Sequence, residues 1–308
     1  MAVVFKITKN FHIIHMTDDL AALDTWYDEV FGVARFMHKQ YSDVLKRDAS
    51  LVLIGDLCIE PMAPSFRIEG WDSVAIGRFW NRFGKRWHSI AWYVDQREHI
   101  KELFDELIAN EVRMYSGAGQ KAPTEPPPGA LFTHPRDTIT QLEFMPHFPG
   151  MGDPRFHGSF DPGWWTRDHP LHVQKSAYTT LTVRDLDAAK RVYIEVLRGT
   201  LLHEEERALT GTRSAFILVG DDLVIELAQP LDTGSAMGRD LEENSQTLYS
   251  VSLKVRDLGE AERHLTSHNI AFTDRDDNTL YTDPATTHGV IFGFTTWEIP
   301  NDPRKAWA

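Results

Sequence analysis

The sequence predicts an α+β protein built from four β-α-β-β-β modules joined in two pairs, and three observations carry that reading. The first is an internal repeat. Laid without gaps at an offset of 166, "HIIHMTDDLAALDTWYDEVFG" (12–32) falls on "YTTLTVRDLDAAKRVYIEVLR" (178–198), and "GDLCIEPMAP" (55–64) falls on "DDLVIELAQP" (221–230). Asp19/Asp185, Leu20/Leu186, Ala22/Ala188, Tyr27/Tyr193, Val30/Val196, Glu60/Glu226 and Pro64/Pro230 coincide, the mark of one structural unit used again. The second is period: apolar residues alternate before each Asp-Leu pair, as in a half-buried strand, and recur at three and four afterwards, as in an amphipathic helix. The third is punctuation. Asp19 and Asp185 stand where a helix N-cap belongs, and each unit closes on an apolar-Glu-x-x-x-Pro stretch.

The elements follow in order. The first module runs over 1–61. A second, over 87–146, is read from "SIAWYVDQREHIKELFDEL" (89–107) and "LFTHPRDTITQLEF" (131–144). Residues 116–130, "SGAGQKAPTEPPPGA", form a Pro-rich loop within it. Residues 147–175, dense in Gly, Pro and aromatics, connect the halves; Trp164 and Trp165 suggest that this stretch packs on a domain. The C-terminal pair spans 176–300, its last module read from "SVSLKVRDLGEAERHL" (250–265) and "LYTDPATTHGVIFGF" (280–294).

Composition narrows the function classes. With 42% hydrophobic residues the 308-residue chain can bury a core. Its 32 basic and 45 acidic residues, a net charge of −13, argue against a duplex or an anionic membrane as partner. Cys58 is the single cysteine, so neither an intramolecular disulfide nor a thiolate metal site can form. No apolar run approaches the roughly 18 residues of a membrane span, and a cytoplasmic protein is expected. The expected partner is a small-molecule substrate, with a homodimer open.

"HIIHMTDDLAALDTWYDEVFG", "CIEPMAP", "SIAWYVD" and "HPRDTITQLEF" together resemble the vicinal oxygen chelate superfamily, which includes glyoxalase I, methylmalonyl-CoA epimerase, bleomycin- and fosfomycin-resistance proteins and extradiol dioxygenases. The resemblance covers nearly the whole chain apart from the connection. It implies two half-open β-barrels, each from two modules, with one divalent metal held by a first-strand and a last-strand residue of each module. Carried over, it implies His12, Glu60 and Glu143 as ligands, with Glu60 and Glu143 as candidate acid–base residues and Fe, Mn, Zn or Ni as the ion. Alternate residues of a strand share a face, which is why such donors can converge.

The fourth corner turns on register. If Ile90, Trp92 and Val94 face the covering helix, Ser89, Ala91 and Tyr93 face the barrel, and His88 falls one residue early. A bulge could re-aim His88 into the site; otherwise it makes a local hydrogen bond at the strand edge. The C-terminal corners read Tyr178, Glu226, Ser250 and Gly293, or Phe292 one residue off, so a degenerate metal site is expected there. His15 falls on the opposite face from His12, His134 and His147 on loops, and His99, His264 and His268 on or beside helices, where they read as exposed.

The resemblance points to an enzyme acting on an oxygenated small molecule, with proton transfer next to a carbonyl (isomerase, epimerase or lyase) as the leading reading. One alternative is an Fe(II) extradiol-type ring-cleaving dioxygenase, which needs His88 as a ligand. The other is a non-catalytic binding or resistance protein.

Overall fold

The computed structural model describes residues 5–115, 122–127, 129–158 and 160–307; residues 116–121 and 128 of the Pro-rich loop lie outside that set. Two eight-stranded mixed sheets repeat one plan. In the first, β1 (Ile7–Met16), α1 (Leu20–Phe31), β2 (Ala34–Ser42), β3 (Arg47–Ile54) and β4 (Leu57–Pro64) make one module. After α2 (Ala75–Phe83), β5 (Trp87–Val94), α3 (His99–Ala109), β6 (Met114–Tyr115), β7 (Leu131–Thr133), α4 (Pro135–Thr138) and β8 (Gln141–Pro146) make the next. The strand order is β2-β3-β4-β1-β5-β8-β7-β6. β1 runs parallel to β4 and β5 parallel to β8, while β1 and β5 join the modules antiparallel.

A short α5 (Trp164–Arg167) leads into the second domain: β9 (Val173–Thr182), α6 (Leu186–Lys190), β10 (Thr200–Arg207), β11 (Thr212–Val219), β12 (Leu223–Pro230), α7 (Ala236–Asn244), β13 (Thr247–Val255), α8 (Leu258–Ser267), β14 (Phe272–Arg275), β15 (Thr279–Thr282) and β16 (Ile291–Thr295). Its sheet, β10-β11-β12-β9-β13-β16-β15-β14, repeats the first. The expected class and module pairing are those observed. The sheets are half-open cups rather than closed barrels. Asp19, Asp185 and Asp257 accept backbone N–H bonds three residues ahead, so the Asp-Leu signature is an N-cap in α1, α6 and α8.

One main apolar core runs across both domains. Trp26, Tyr27 and Phe31 of α1 meet Phe292 of β16, and the Trp87 indole donates to the Ile291 carbonyl at 3.1 Å. The interlock is reciprocal: the Asn10 amide donates to Asp222 at 2.6 Å, and the Ser176 amide to Asp56 at 2.7 Å. These pairs are related by the repeat offset, so each domain's hairpin turn docks on the other's first strand.

Two further repeats hold the cups. Asp153-Pro154-Arg155 and Asp302-Pro303-Arg304 follow the last strands as straps. Arg155 donates to the carbonyls of Asn10, Phe11 and Asp56; Arg304 donates to those of Ser176, Ala177 and Asp222. The connection over 147–175 is therefore packed along part of its length: Trp165 is buried and its indole donates to the Phe31 carbonyl at 2.9 Å. α2 and α7 begin Ala-Ile-Gly-Arg and Ala-Met-Gly-Arg and lie across the two cups. A Cβ at Gly77 would stand 2.0 Å from the Trp71 carbonyl oxygen, and one at Gly238 would stand 2.2 Å from that of Asp232, so both lids require glycine.

Candidate functional site

The floor of the first cup is set by strand register. His12 of β1 lies opposite Ala91 of β5, which lies beside Glu143 of β8; on the other side Ile14 lies beside Glu60 of β4. All therefore share the concave face. The structure brings the three expected donors together: His12 Nε2 is 3.0 Å from Glu60 Oε2 and 3.5 Å from Glu143 Oε2. They line a cavity of about 190 Å³ whose walls include Phe11, Ile14, Met37, Met62 and Met145, with Ile76 of the α2 lid above.

Arg47 is the residue that sequence reading missed. Its guanidinium stands 3.2 Å from Glu60 Oε1 and donates to the Gln40 carbonyl at 2.9 Å. The available signal was a charged residue in phase with the inward-facing Ala49. His12 is 3% exposed. Burial is the largest single influence and disfavours its charged form, yet Glu60 and then Glu143 outweigh it and raise its pKa above the usual imidazole value. Both ring nitrogens of His12 and the Arg47 Nε are buried without a hydrogen-bond partner. Buried polar atoms are normally satisfied, so these groups keep donors for something in the cavity besides their contacts with Glu60 and Glu143.

The fourth corner departs from a regular strand. Ile13 pairs with Ile90 but His15 pairs with Trp87, so His88 and Ser89 together face Ile14 across a bulge. The bulge does not re-aim His88 into the cup: Ser89 faces the cavity, as the register count expects, and His88 makes a local hydrogen bond. Ser89 lines the cavity, whereas the His88 ring packs edge-on to Phe79 at 4.3 Å and contacts the Ser89 hydroxyl at 2.9 Å through Nδ1. Burial pushes the His88 pKa down to about 3, so it is neutral.

A divalent ion of the kind this donor chemistry suggests wants three or four donors at about 2.0–2.2 Å. Among the described residues no three His, Cys, Asp or Glu side chains stand in a set that would hold one. Ser89 occupies the fourth corner, and Arg47 already supplies a positive charge to Glu60. The residues as disposed do not complete the expected metal site.

The floor of the second cup, where the first carries its donors, has been filled. Tyr178, opposite Ser252 and level with Gly293, takes the place of His12, and Glu226 that of Glu60. Arg207 donates to Glu226 at 3.0 Å and to the Tyr178 hydroxyl at 3.1 Å, and lies over the rings of Tyr178, Phe216 and Trp297. Thr180 donates to the other Glu226 oxygen at 2.6 Å. A Cβ at Gly293 would come within 2.2 Å of Ser252 Oγ, so no glutamate fits there. Ser250 is buried one step along the same face, and Phe292 belongs to the interdomain core.

The other histidines singled out in the sequence make local contacts away from the cup. His15 is buried between the Tyr27 hydroxyl and the His288 carbonyl, and burial lowers its pKa to about 3. His134 caps α4, and His147 stacks on Phe156. The expectation that His99, His264 and His268 are exposed is corrected: His99 is buried at the start of α3, half-buried His264 reaches the Val30 carbonyl of the first domain at 2.8 Å, and half-buried His268 contacts the His264 carbonyl at 2.9 Å. No helix among the described residues is long and apolar enough to cross a membrane.

Comparison with known proteins follows the fold. The profile of the Glyoxalase/Bleomycin resistance protein/Dioxygenase superfamily matches residues 175–296. A mutant of 4-hydroxymandelate synthase from Streptomyces coelicolor superposes along 98% of this chain and 97% of its own, with a TM-score of 0.66 at 13% identity, a likeness of fold. Methylmalonyl-CoA epimerase from Mycobacterium tuberculosis matches at 26% identity over 40% of this chain and 87% of its own, with a TM-score of 0.38. No curated protein sequence matches the chain.

Proposed function

We propose that the N-terminal cup catalyses proton transfer next to a carbonyl, as an enzyme of the vicinal oxygen chelate type; the superfamily profile over residues 175–296 and the shared fold support the reading. The observation that carries this reading is a histidine set between two carboxylates, beside an arginine, on the floor of a small chamber with largely apolar walls.

The roles follow from the surroundings. Glu143 has no arginine partner and keeps some access to the cavity, its side chain 14% exposed against 5% for Glu60. It is the base: its carboxylate takes the proton from the carbon beside the carbonyl, and the C–H electron pair moves into the C–C bond as the carbonyl oxygen becomes an enolate oxygen. Arg47, with Nε unpartnered, and His12, biased toward its charged form, offer N–H donors to that oxygen as charge develops. Glu60 holds both cations in place. Protonated Glu143 then returns the proton either to the neighbouring carbon of an enediolate, which isomerises an α-hydroxycarbonyl, or to the same carbon after the enolate has turned its other face to Glu143, which epimerises it. The result is an epimerisation or isomerisation that consumes nothing. Because the donor set for a metal is incomplete, no step is routed through one.

The test is solvent deuterium exchange, followed by NMR, into a panel of 2-methyl-3-oxo and α-hydroxycarbonyl compounds. The wild type is expected to exchange the proton next to the carbonyl. Glu143→Gln should lose that exchange by about 10²–10⁴-fold, the usual size of a general-base contribution, and His12→Ala should be similarly impaired. A wild type that exchanges none of the panel, or a Glu143→Gln variant as fast as wild type, would sink the reading. Repetition after dialysis against a chelator reports on the metal: exchange is expected to persist.

A further inference from the structure

We propose that the cleft between the two domains is an anion subsite, taking a phosphate- or carboxylate-bearing arm of the substrate whose carbonyl lies in the cup; this rests on the function proposed above. The cleft has a volume of about 750 Å³, within the range of small-molecule sites. α2 contributes Phe79, Arg82 and Phe83, and α4 contributes Arg136. The loop from α7 into β13, residues 244–247, closes it from the second domain.

Charge is the first argument. In a chain of net charge −13, none of the residues lining this cleft is acidic. Arg82 and Arg136 face it without a carboxylate within ion-pair distance among the described residues; Arg82 rests on the Phe83 ring at 4.8 Å. Elsewhere Arg35, Arg86, Arg113 and Arg184 are each matched to a carboxylate; among the described residues Arg67, Arg78, Arg239 and Arg263 are not, and what sets Arg82 and Arg136 apart is that both line one cavity. Two unmatched guanidiniums on one cavity suit a planar or tetrahedral oxyanion, which they can bind by paired N–H bonds. The Gln246 side-chain oxygen accepts from the Arg184 amide, which leaves its NH₂ as a further donor.

Position is the second argument. Gln141 borders both the cleft and the cup, and the hydrogen-bonded pair across the bulge is divided between them, His88 on the cleft and Ser89 in the cup. The wall between the two cavities is thus one residue thick at Gln141. A substrate with a reacting carbonyl at one end and an anionic arm at the other reaches both once the Gln141 side chain swings aside. The cup alone, at about 190 Å³, holds only the reacting end.

The experiment is calorimetric titration of the full chain with inorganic pyrophosphate and, separately, with tricarballylate, at low and at physiological salt. Saturable binding that weakens with salt is expected, and weakens at least tenfold in Arg82→Ala/Arg136→Ala. Both side chains are exposed, so the variant should fold, and its melting temperature is the check. Tighter pyrophosphate identifies a phosphate arm; tighter tricarballylate identifies a carboxylate arm. Saturation by neither anion, or equal affinity in the double variant, overturns the proposal. Glu143→Gln is titrated alongside and should keep anion affinity while losing exchange, so failure of the cleft and failure of the cup read out separately.

Discussion

Arg155→Ala tests how firmly the strap is fastened. The Arg155 side chain is 4% exposed and that of Asp153 0%. The guanidinium bonds both Asp153 oxygens and three backbone carbonyls, those of Asn10, Phe11 and Asp56. Removal leaves a buried carboxylate with only the Tyr93 hydroxyl, at 3.3 Å, and the amide of residue 155. Breaking a buried ion pair by deleting one partner costs about 3–5 kcal/mol, a large share of a typical total stability. At roughly 2 °C per kcal/mol for a chain of this size, the melting temperature should fall by about 6–10 °C. Asp153→Leu/Arg155→Met removes both charges and should recover part of that loss, though not all, because the three carbonyls stay unpartnered. The pH dependence has a defined sign. Burial alone would raise the Asp153 pKa, but Arg155 outweighs it and holds it below the usual value, so the contribution is present above the ordinary carboxylate range and lost as pH falls through it. Scanning calorimetry measures both effects. An Arg155→Ala variant melting within about a degree of wild type would refute the account.

Two further predictions concern the lid and the interlock. Gly77→Ala places a Cβ against backbone that cannot yield, 2.0 Å from the Trp71 carbonyl oxygen and 2.7 Å from the Asp72 Cα. It should destabilise by about 1–3 kcal/mol, as overpacking does, and displace α2 from the cup; denaturant melts and deuterium exchange rates report the two effects. Asp222 has its pKa pushed up to about 6, chiefly by burial. Wild-type stability should therefore decline as pH rises from the ordinary carboxylate range through 6. Asp222→Asn keeps a carbonyl for the Asn10 amide without the charge, and urea melts at pH 4.5 and 7 should show a smaller decline; equal declines would count against the assignment.

Much of the architecture was legible because it is written in periods and caps. Gapless alignment at one offset found the repeat, and the family resemblance pointed to His12, Glu60 and Glu143. What escaped reading depends on contacts between distant segments. The lid sequences recur at an offset of 161 (Gly77 to Gly238) and the straps at 149 (Asp153 to Asp302), because loop lengths between the modules differ; a search at 166 passes over both. Arg47 was in phase with its strand but lies outside the stretches that carry the family resemblance. The bulge at His88–Ser89 cannot be counted from one strand, since it is a relation between β5 and β1. His99 and His264 read as exposed because helical position alone does not show which neighbour a helix meets.

The arginine lodged in the second cup has a consequence for stoichiometry. Duplication offered two donor floors, and Arg207, with glycine at position 293, has occupied one of them. Each polypeptide is thereby left with a single vessel of the ancestral kind. A tight-binding inhibitor should titrate it one to one, and the retired half works as a buttress whose own hairpin keeps the working half in shape.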